Sequence, residues 1–268
     1  MRIGTHEFDV QNQTYIMGIL NVTPDSFSDG GKYHHVDAAL KRAEQMQREG
    51  AAILDIGGES TRPGYTPVSE EEEMERILPV IEAVKRNLDI PVSVDTYKSK
   101  VAESAILAGA DLINDIWGLK ADEQMATLIA KHKVACCLMH NRKDPGSDNF
   151  IQDVLSDLRE CLTLAKEAGI AEEKIILDPG VGFAKSYEQN LDMIRNLEQL
   201  RTLGYPVLLG ASRKSVIGLT LDLPSEERLE GTLTTTVAAV QQGCAFVRVH
   251  DIKENYRAIQ MAQAIYRR

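Results

Sequence analysis

Cysteine is scarce and carries no pattern. The 268-residue chain has four, Cys136, Cys137, Cys161 and Cys244, with no CxxC pair and no metal-ligand spacing. That excludes a disulfide framework and a structural zinc site. Cys136 and Cys137 lie in the apolar run 134–139, where cysteine acts as a small core hydrophobe, and all four read as thiols of a reducing compartment. Long apolar runs are missing as well. Nothing approaches the roughly 20 residues needed to cross a bilayer, and residues 1–13 contain no apolar leader segment. A cytoplasmic protein without membrane contact is expected.

Positive charge is in deficit, with 30 Lys+Arg against 40 Asp+Glu and a net charge of −10. Nucleic-acid binding, which depends on a basic surface, is therefore not expected. Anionic small molecules stay open, because one pocket can be locally cationic on an acidic protein. The chain also lacks both phosphate-loop signatures, G-x-x-x-x-G-K-[ST] and a G-x-G-x-x-G after its first strand.

What is present is alternation. Eight short segments, nearly continuous in apolar character, predict strands buried on both faces. They are 15–20, 52–56, 91–94, 112–114, 134–139, 174–177, 206–210 and 245–249. Amphipathic stretches separate them. Val36, Ala39, Leu40, Ala43 and Met46 follow the helical period up to Gly50. Ser69 and Glu72 have the spacing of a helix N-cap pair ahead of Met74, Ile77, Leu78, Ile81 and Val84. Val154, Leu158, Cys161, Leu162 and Ala165 form a face that stops at Gly169. One helix is expected across Leu191, Ile194, Leu197 and Leu200, and a last one, capped by Asp251, across Ile252, Tyr256, Ile259, Ala262 and Ile265. Eight such units without a linker predict an α/β protein, a single-domain (β/α)8 TIM barrel over residues 1–268. Residues 1–14 are expected to form a short N-terminal hairpin or plug across its bottom. An open doubly wound sheet is the alternative.

Every strand candidate ends in a polar group: Asn21, Asp55, Asp95, Asn114 with Asp115, His140, Asp178, Ser212 to Lys214, and Arg248 with His250. In a barrel these positions share one rim, the face that houses active sites. Asp95, Asn114 and Asp178 suit the edge of a flat amino-oxo heterocycle. Asn21, Arg62, Arg248 and His250 suit an anion or a metal. One ligand bearing both a heterocycle and a phosphate would bridge the two sets. The loops 21–31 and 57–64 are rich in Gly, Pro and small polar residues, as mobile active-site loops are.

Residues 17–29, MGILNVTPDSFSD, and 54–64, LDIGGESTRPG, resemble the two loop signatures of the dihydropteroate synthase family. SVDT at 93–96, INDI at 113–116, LMH at 138–140, LDPGVGF at 177–183, GASRKS at 210–215 and VRVH at 247–250 extend the resemblance from about residue 15 to 255. It implies a pterin held by Asp95, Asn114, Asp178 and Lys214 in a pocket lined by Ile116, Met139, Phe183 and Gly210. It implies a diphosphate held by Asn21, Thr61, Arg62, Arg248 and His250. Mg²⁺ would sit on Asn21, joined by Asp29 when the first loop closes. Phe27, Pro63, Phe183, Lys214 and Ser215 would enclose p-aminobenzoate. Asp95, Arg62 and Lys214 would carry the catalytic roles, and a homodimer is expected. A pterin-dependent methyltransferase would share the Asp/Asn set but have no use for Arg62, the Ser-Arg-Lys run or Arg248 and His250. A non-catalytic pterin-binding paralogue would be expected to lose Asn21, Arg62 or Lys214, and all three are present.

Overall fold

The computed structural model describes residues 1–22, 32–59, 67–143 and 149–266, the side chains of 32–34 apart. All eight expected strands form: β3 (Tyr15–Asn21), β4 (Ile53–Gly57), β5 (Val92–Asp95), β6 (Leu112–Asp115), β7 (Ala135–Met139), β8 (Ile175–Asp178), β9 (Leu208–Leu209) and β10 (Phe246–Val249). They pair in parallel in the order β8-β7-β6-β5-β4-β3-β10-β9. A parallel bridge between Leu177 and Val207 brings the ends together, with the Leu177 amide donating to the Pro206 carbonyl at 2.9 Å. Strand order that follows the chain and then closes is a barrel, which removes the open doubly wound alternative. β9 is shorter than 206–210, since Pro206 has no N–H for a strand ladder.

The helices are α1 (Lys32–Glu49), α2 (Glu70–Asn87), α3 (Ser99–Leu107), α4 (Glu123–His132), α5 (Phe150–Glu167), α6 (Tyr187–Arg195), α7 (Leu197–Arg201), α8 (Ser215–Leu221), α9 (Leu229–Gln241) and α10 (Ile252–Tyr266). Ser69 caps α2 by accepting from the Glu72 amide. The single helix expected over 191–200 is two. It breaks at Asn196, whose side-chain amide donates to the Asp192 carbonyl at 2.8 Å and competes with the backbone ladder. Asp251 precedes α10, yet its carboxylate is taken by Arg213.

Side-chain parity divides the strands into two layers. Ile16, Leu54, Val92, Val94, Ile113, Cys136, Leu138, Leu177 and Val247 pack outward against the helices in the main core. Met17, Ile53, Leu112, Ala135, Cys137, Ile176, Leu208 and Phe246 face inward and form a second cluster with Ile3 and Phe8. Ile3 and Phe8 come from the N-terminal segment, where β1 (Arg2–Ile3) and β2 (His6–Glu7) form an antiparallel hairpin. Phe8 meets Tyr15 edge-on with ring centroids 5.0 Å apart and lies 5.7 Å from Phe246. The hairpin is thus the expected plug. All four cysteines are free and buried, and burial raises the pKa of Cys136, Cys137 and Cys161.

Candidate active site

The inward parity that is apolar at the barrel bottom turns polar toward the C-terminal ends of the strands. Asp55, Asp95, Asn114, Asp178 and Arg248 share the inward parity of Ile53, Ser93, Leu112, Ile176 and Phe246 two residues earlier. They converge in the mouth. Arg248 donates from Nε to Asp55 Oδ2 at 2.5 Å and from Nη2 to Asp95 Oδ2 at 2.7 Å. Asp55 also accepts from Ser93 Oγ at 2.5 Å and from Asn114 Nδ2 at 3.2 Å. Asp95 Oδ1 is buried and has no hydrogen-bond partner among the described residues.

Burial dominates the electrostatics. It lifts Asp95 to a pKa of about 7, against the pull of Arg248, and raises Asp178. It lowers Lys214 to about 8, opposed by the charge of Asp178. Lys214 donates to the Val181 carbonyl at 2.5 Å, with its ammonium 4.2 Å from the centre of the Phe183 ring. Gly210 leaves the floor open: a Cβ there would stand 3.4 Å from Asp178 Oδ2 and 3.9 Å from Arg248 Cβ.

The pterin set of the sequence is therefore in the mouth. Asp95, Asn114, Asp178, Gly210 and Lys214 meet around Arg248, and Ile116 and Met139 follow Asn114 and Cys137 by two residues in the same parity, both buried. Asn21 ends β3 opposite Gly57. Its Oδ1 lies 3.8 Å from where a Gly57 Cβ would be, and the Asp95 Cβ lies 3.6 Å from that same point. His250 sits beside the mouth, bonded through Nδ1 to Ser212 Oγ at 3.0 Å. Ser215 opens α8 and is exposed. Phe27, Asp29, Thr61, Arg62 and Pro63 lie outside the described residues.

Two polar strand ends prove to face away from the mouth. Asp115 accepts from the amides of Trp117 and Leu119, holding the turn after β6, and burial raises its pKa to about 6. His140 points outward to Asp157 of α5. Its pKa falls to about 3 through burial and the neighbouring Lys185. Asp55 was given no binding role by the sequence, yet it is the hub that aims Arg248. Lys185 escaped notice altogether, because a lone lysine after a glycine-rich turn looks like solvent-facing surface. Glu59 was missed too. Its carboxylate accepts from the Val68 amide at 2.9 Å, from Tyr97 Oη at 3.0 Å and from Lys98 Nζ at 2.7 Å, joining the end of β4 to Val68 and to the segment after β5. Lys98 also binds buried Glu73 at 2.7 Å.

A depression of about 680 Å³ opens elsewhere, beside Trp117, Lys120, Arg142 and Asp157. The chemistry belongs in the mouth instead, where polar side chains from five strands converge on a buried carboxylate oxygen with no partner among the described residues. Among the described residues no group of three or more His, Cys, Asp or Glu is placed to hold a metal.

A closed barrel with this mouth defines a pterin-binding enzyme, and the model of the family described as pterin binding enzyme matches residues 17–250. The dihydropteroate synthase of Clostridium beijerinckii is 60% identical, with 100% of each chain covered. That of Bacillus subtilis is 55% identical over 95% of this chain and 90% of its own. A Clostridium difficile dihydropteroate synthase crystallised with pteroic acid superposes with a TM-score of 0.95 at 49% identity, covering 98% of this chain and 100% of that one. The Xanthomonas albilineans enzyme with 4-aminobenzoic acid gives 0.91 at 41%, covering 96% and 95%. The chain belongs to the dihydropteroate synthase family.

Proposed function

We propose that this transferase condenses 7,8-dihydropterin-6-ylmethyl diphosphate with p-aminobenzoate, yielding 7,8-dihydropteroate and diphosphate. The carrying observation is the buried Asp95 Oδ1, without a partner among the described residues, beside Asn114 and Asp178, an acceptor-rich floor that matches the N–H edge of a pterin. The relatives crystallised with pteroic acid and 4-aminobenzoic acid support the same pairing of substrates.

Asp95, Asn114 and Asp178 orient the pterin, with Lys214 on its open side and Ile116, Met139 and Phe183 against its faces. Arg248 and His250, with Thr61 and Arg62, hold the diphosphate. The C–O bond to diphosphate breaks first and its electron pair leaves with the diphosphate, in an SN1-like step. The positive charge left at the exocyclic methylene spreads into the electron-rich pterin, where Asp95 stabilises it electrostatically. The p-aminobenzoate nitrogen then attacks with its lone pair, forms the C–N bond and gives up a proton to solvent. An arylamine is weakly basic, so positioning by Phe27, Pro63, Phe183, Lys214 and Ser215 matters more than a general base.

Asn21 offers one amide oxygen at the rim, which suits Mg²⁺ arriving with the diphosphate and its own waters rather than a cation caged by protein. Asn21 and Asp29 would hold it, and when bound it neutralises charge on the leaving group. We further assign a homodimer through apolar residues left exposed on outer helices, Leu219 and Leu221 of α8 and Met261 and Ile265 of α10. Sulfonamides, one of which is bound in the Yersinia pestis relative, should compete with p-aminobenzoate. No helix of the described residues is long and apolar enough to cross a membrane, and we place the enzyme in the cytoplasm. Formation of 7,8-dihydropteroate with one diphosphate released per product tests the function; no condensation product with both substrates and Mg²⁺ present would contradict it.

A further inference from the structure

The turn that follows β8 is built around a lysine ammonium. Lys185 Nζ donates to His140 Nδ1 at 2.8 Å, to the Gly180 carbonyl at 2.9 Å and to the Phe183 carbonyl at 3.0 Å. An ammonium has donors only, so His140 Nδ1 must be the acceptor and its proton rides on Nε2. That N–H faces Asp157 Oδ2 at 3.1 Å, and Asp157 is itself fixed by Arg142 through Nε to Oδ2 and through Nη2 to Oδ1 at 2.9 Å. Arg142, Asp157, His140 and Lys185 thus form one chain of charge-assisted contacts from α5 to the turn.

The backbone could not wrap a cation without unusual geometry. Gly180 has φ +68°, and a Cβ there would lie 2.0 Å from the His140 carbonyl oxygen; Ala184 has φ +44°. The turn carries what the reaction uses. Its Gly180 amide donates to Asp178 Oδ1 at 2.7 Å, its Val181 carbonyl holds Lys214, and its Phe183 ring lies under the Lys214 ammonium. Asn190 of α6 steadies the outer side, accepting from the Gly182 amide at 2.6 Å.

We propose that Lys185 is a positioning residue, its ammonium pinning the 180–184 turn so that Val181 and Phe183 hold Lys214 in place for p-aminobenzoate attack. Asp157 and His140 act through it by presenting a bare imidazole nitrogen. Lys185 touches no substrate. The buried ammonium costs desolvation, which lowers its pKa to about 7 against the pull of the Asp178 charge.

The inference rests on the placement of Lys214 and Phe183 at the p-aminobenzoate side of the mouth. In Lys185→Ala, the KM for p-aminobenzoate should rise about tenfold and kcat should fall about tenfold, the scale of losing one charged hydrogen-bond network. The Kd for pterin should rise less, by about threefold, because Asp95 and Asn114 are held by their strands and only the contacts through Asp178, Phe183 and Lys214 depend on the turn. Ammonium or methylammonium should restore part of kcat by reoccupying the carbonyl cage, while tetramethylammonium should not. Wild-type kinetics in folded Lys185→Ala would overturn the proposal, and so would a loss shared equally by pterin affinity and insensitive to amines. If Lys185→Ala does not fold, Asp157→Asn takes its place, because an amide no longer selects the His140 tautomer. The same split in KM and kcat is expected there, and wild-type behaviour would again overturn the role. Lys214→Met in the same assay separates the two levels: if it turns over normally the reading of the mouth fails, whereas if it alone is impaired only the role of Lys185 falls.

Discussion

Asp95 receives Arg248 on one carboxylate oxygen at 2.7 Å and keeps the other, Oδ1, buried and without a partner among the described residues. One side of the carboxylate is already organised by the protein, and the other is kept for a ligand. Arg248 in turn spends Nε and Nη2 on two carboxylates, so its charge is balanced before any diphosphate arrives. Under the proposed function a diphosphate would meet only what remains of that guanidinium, which would place more weight on the other rim cations.

The first prediction follows from the raised pKa of Asp95, about 7 with burial as its main cause. A pterin N–H bonded to Oδ1 favours the ionised form, so binding below about pH 7 releases a proton. Affinity should therefore climb as pH rises from about 5 to 7 and then level. Calorimetry at pH 6 in buffers of different ionisation enthalpy, with an oxidised pterin whose ring does not titrate in that interval, reads the release directly. The free enzyme should show the opposite trend in stability. A folded pKa above the unfolded carboxylate value means that the folded state binds the proton more tightly, and this contribution is lost as pH rises toward 7. Asp95→Asn should flatten both profiles.

Lys214→Met keeps most of the stem and removes the charge. Its KM for p-aminobenzoate should rise and its kcat fall, each by about tenfold or more, because the ammonium lies between Val181 and Phe183. Lys214→Arg should also be impaired, since a planar fork does not replace a compact ammonium over that ring. Steady-state kinetics at parent values for both substrates would leave Lys214 without a role.

Metal removal should abolish turnover without unfolding the protein. Asn21 alone is a weak site, so the free enzyme should bind Mg²⁺ poorly, while diphosphate and Mg²⁺ should bind together. Full activity in excess EDTA, or tight Mg²⁺ binding to the free enzyme by calorimetry, would contradict this.

Lys98 stands between Glu59 and Glu73, both buried. Lys98→Met leaves two carboxylates facing each other without a cation. The expected loss is about 3 kcal/mol of stability, the scale of breaking a buried ion pair from one side. Because Glu59 also grips the Val68 amide, KM for the diphosphate substrate should rise with it. Urea denaturation together with kinetics measures both.

The barrel was legible because strands buried on both faces leave an apolar pattern that little else mimics. The mouth was legible for the same reason: Asp95, Asn114, Asp178 and Arg248 each interrupt such a run at its end. What the sequence blurred was direction. His140 and Asp115 interrupt their strands just as plainly but stand one residue out of step with Met139 and Asn114, so they face the helices. Counting by twos from Leu112 and Ala135 separates the two groups. Lys185 had no such signal. Its burial depends on how Gly180 and Ala184 fold the chain back over it, which residue type alone does not disclose. The break at Asn196 escaped for a similar cause, since the apolar spacing of 191–200 continues through it.

The hairpin that carries Ile3 and Phe8 makes the barrel a cul-de-sac. With Phe8, Tyr15 and Phe246 clustered across its base, traffic in both directions must use the mouth at the top. Whatever seats against Asp95 and Asp178 lies deepest and has to enter before its neighbour. It can leave only after that neighbour has gone or become part of it. The order of events on this enzyme is thus written into the end of the barrel farthest from the chemistry.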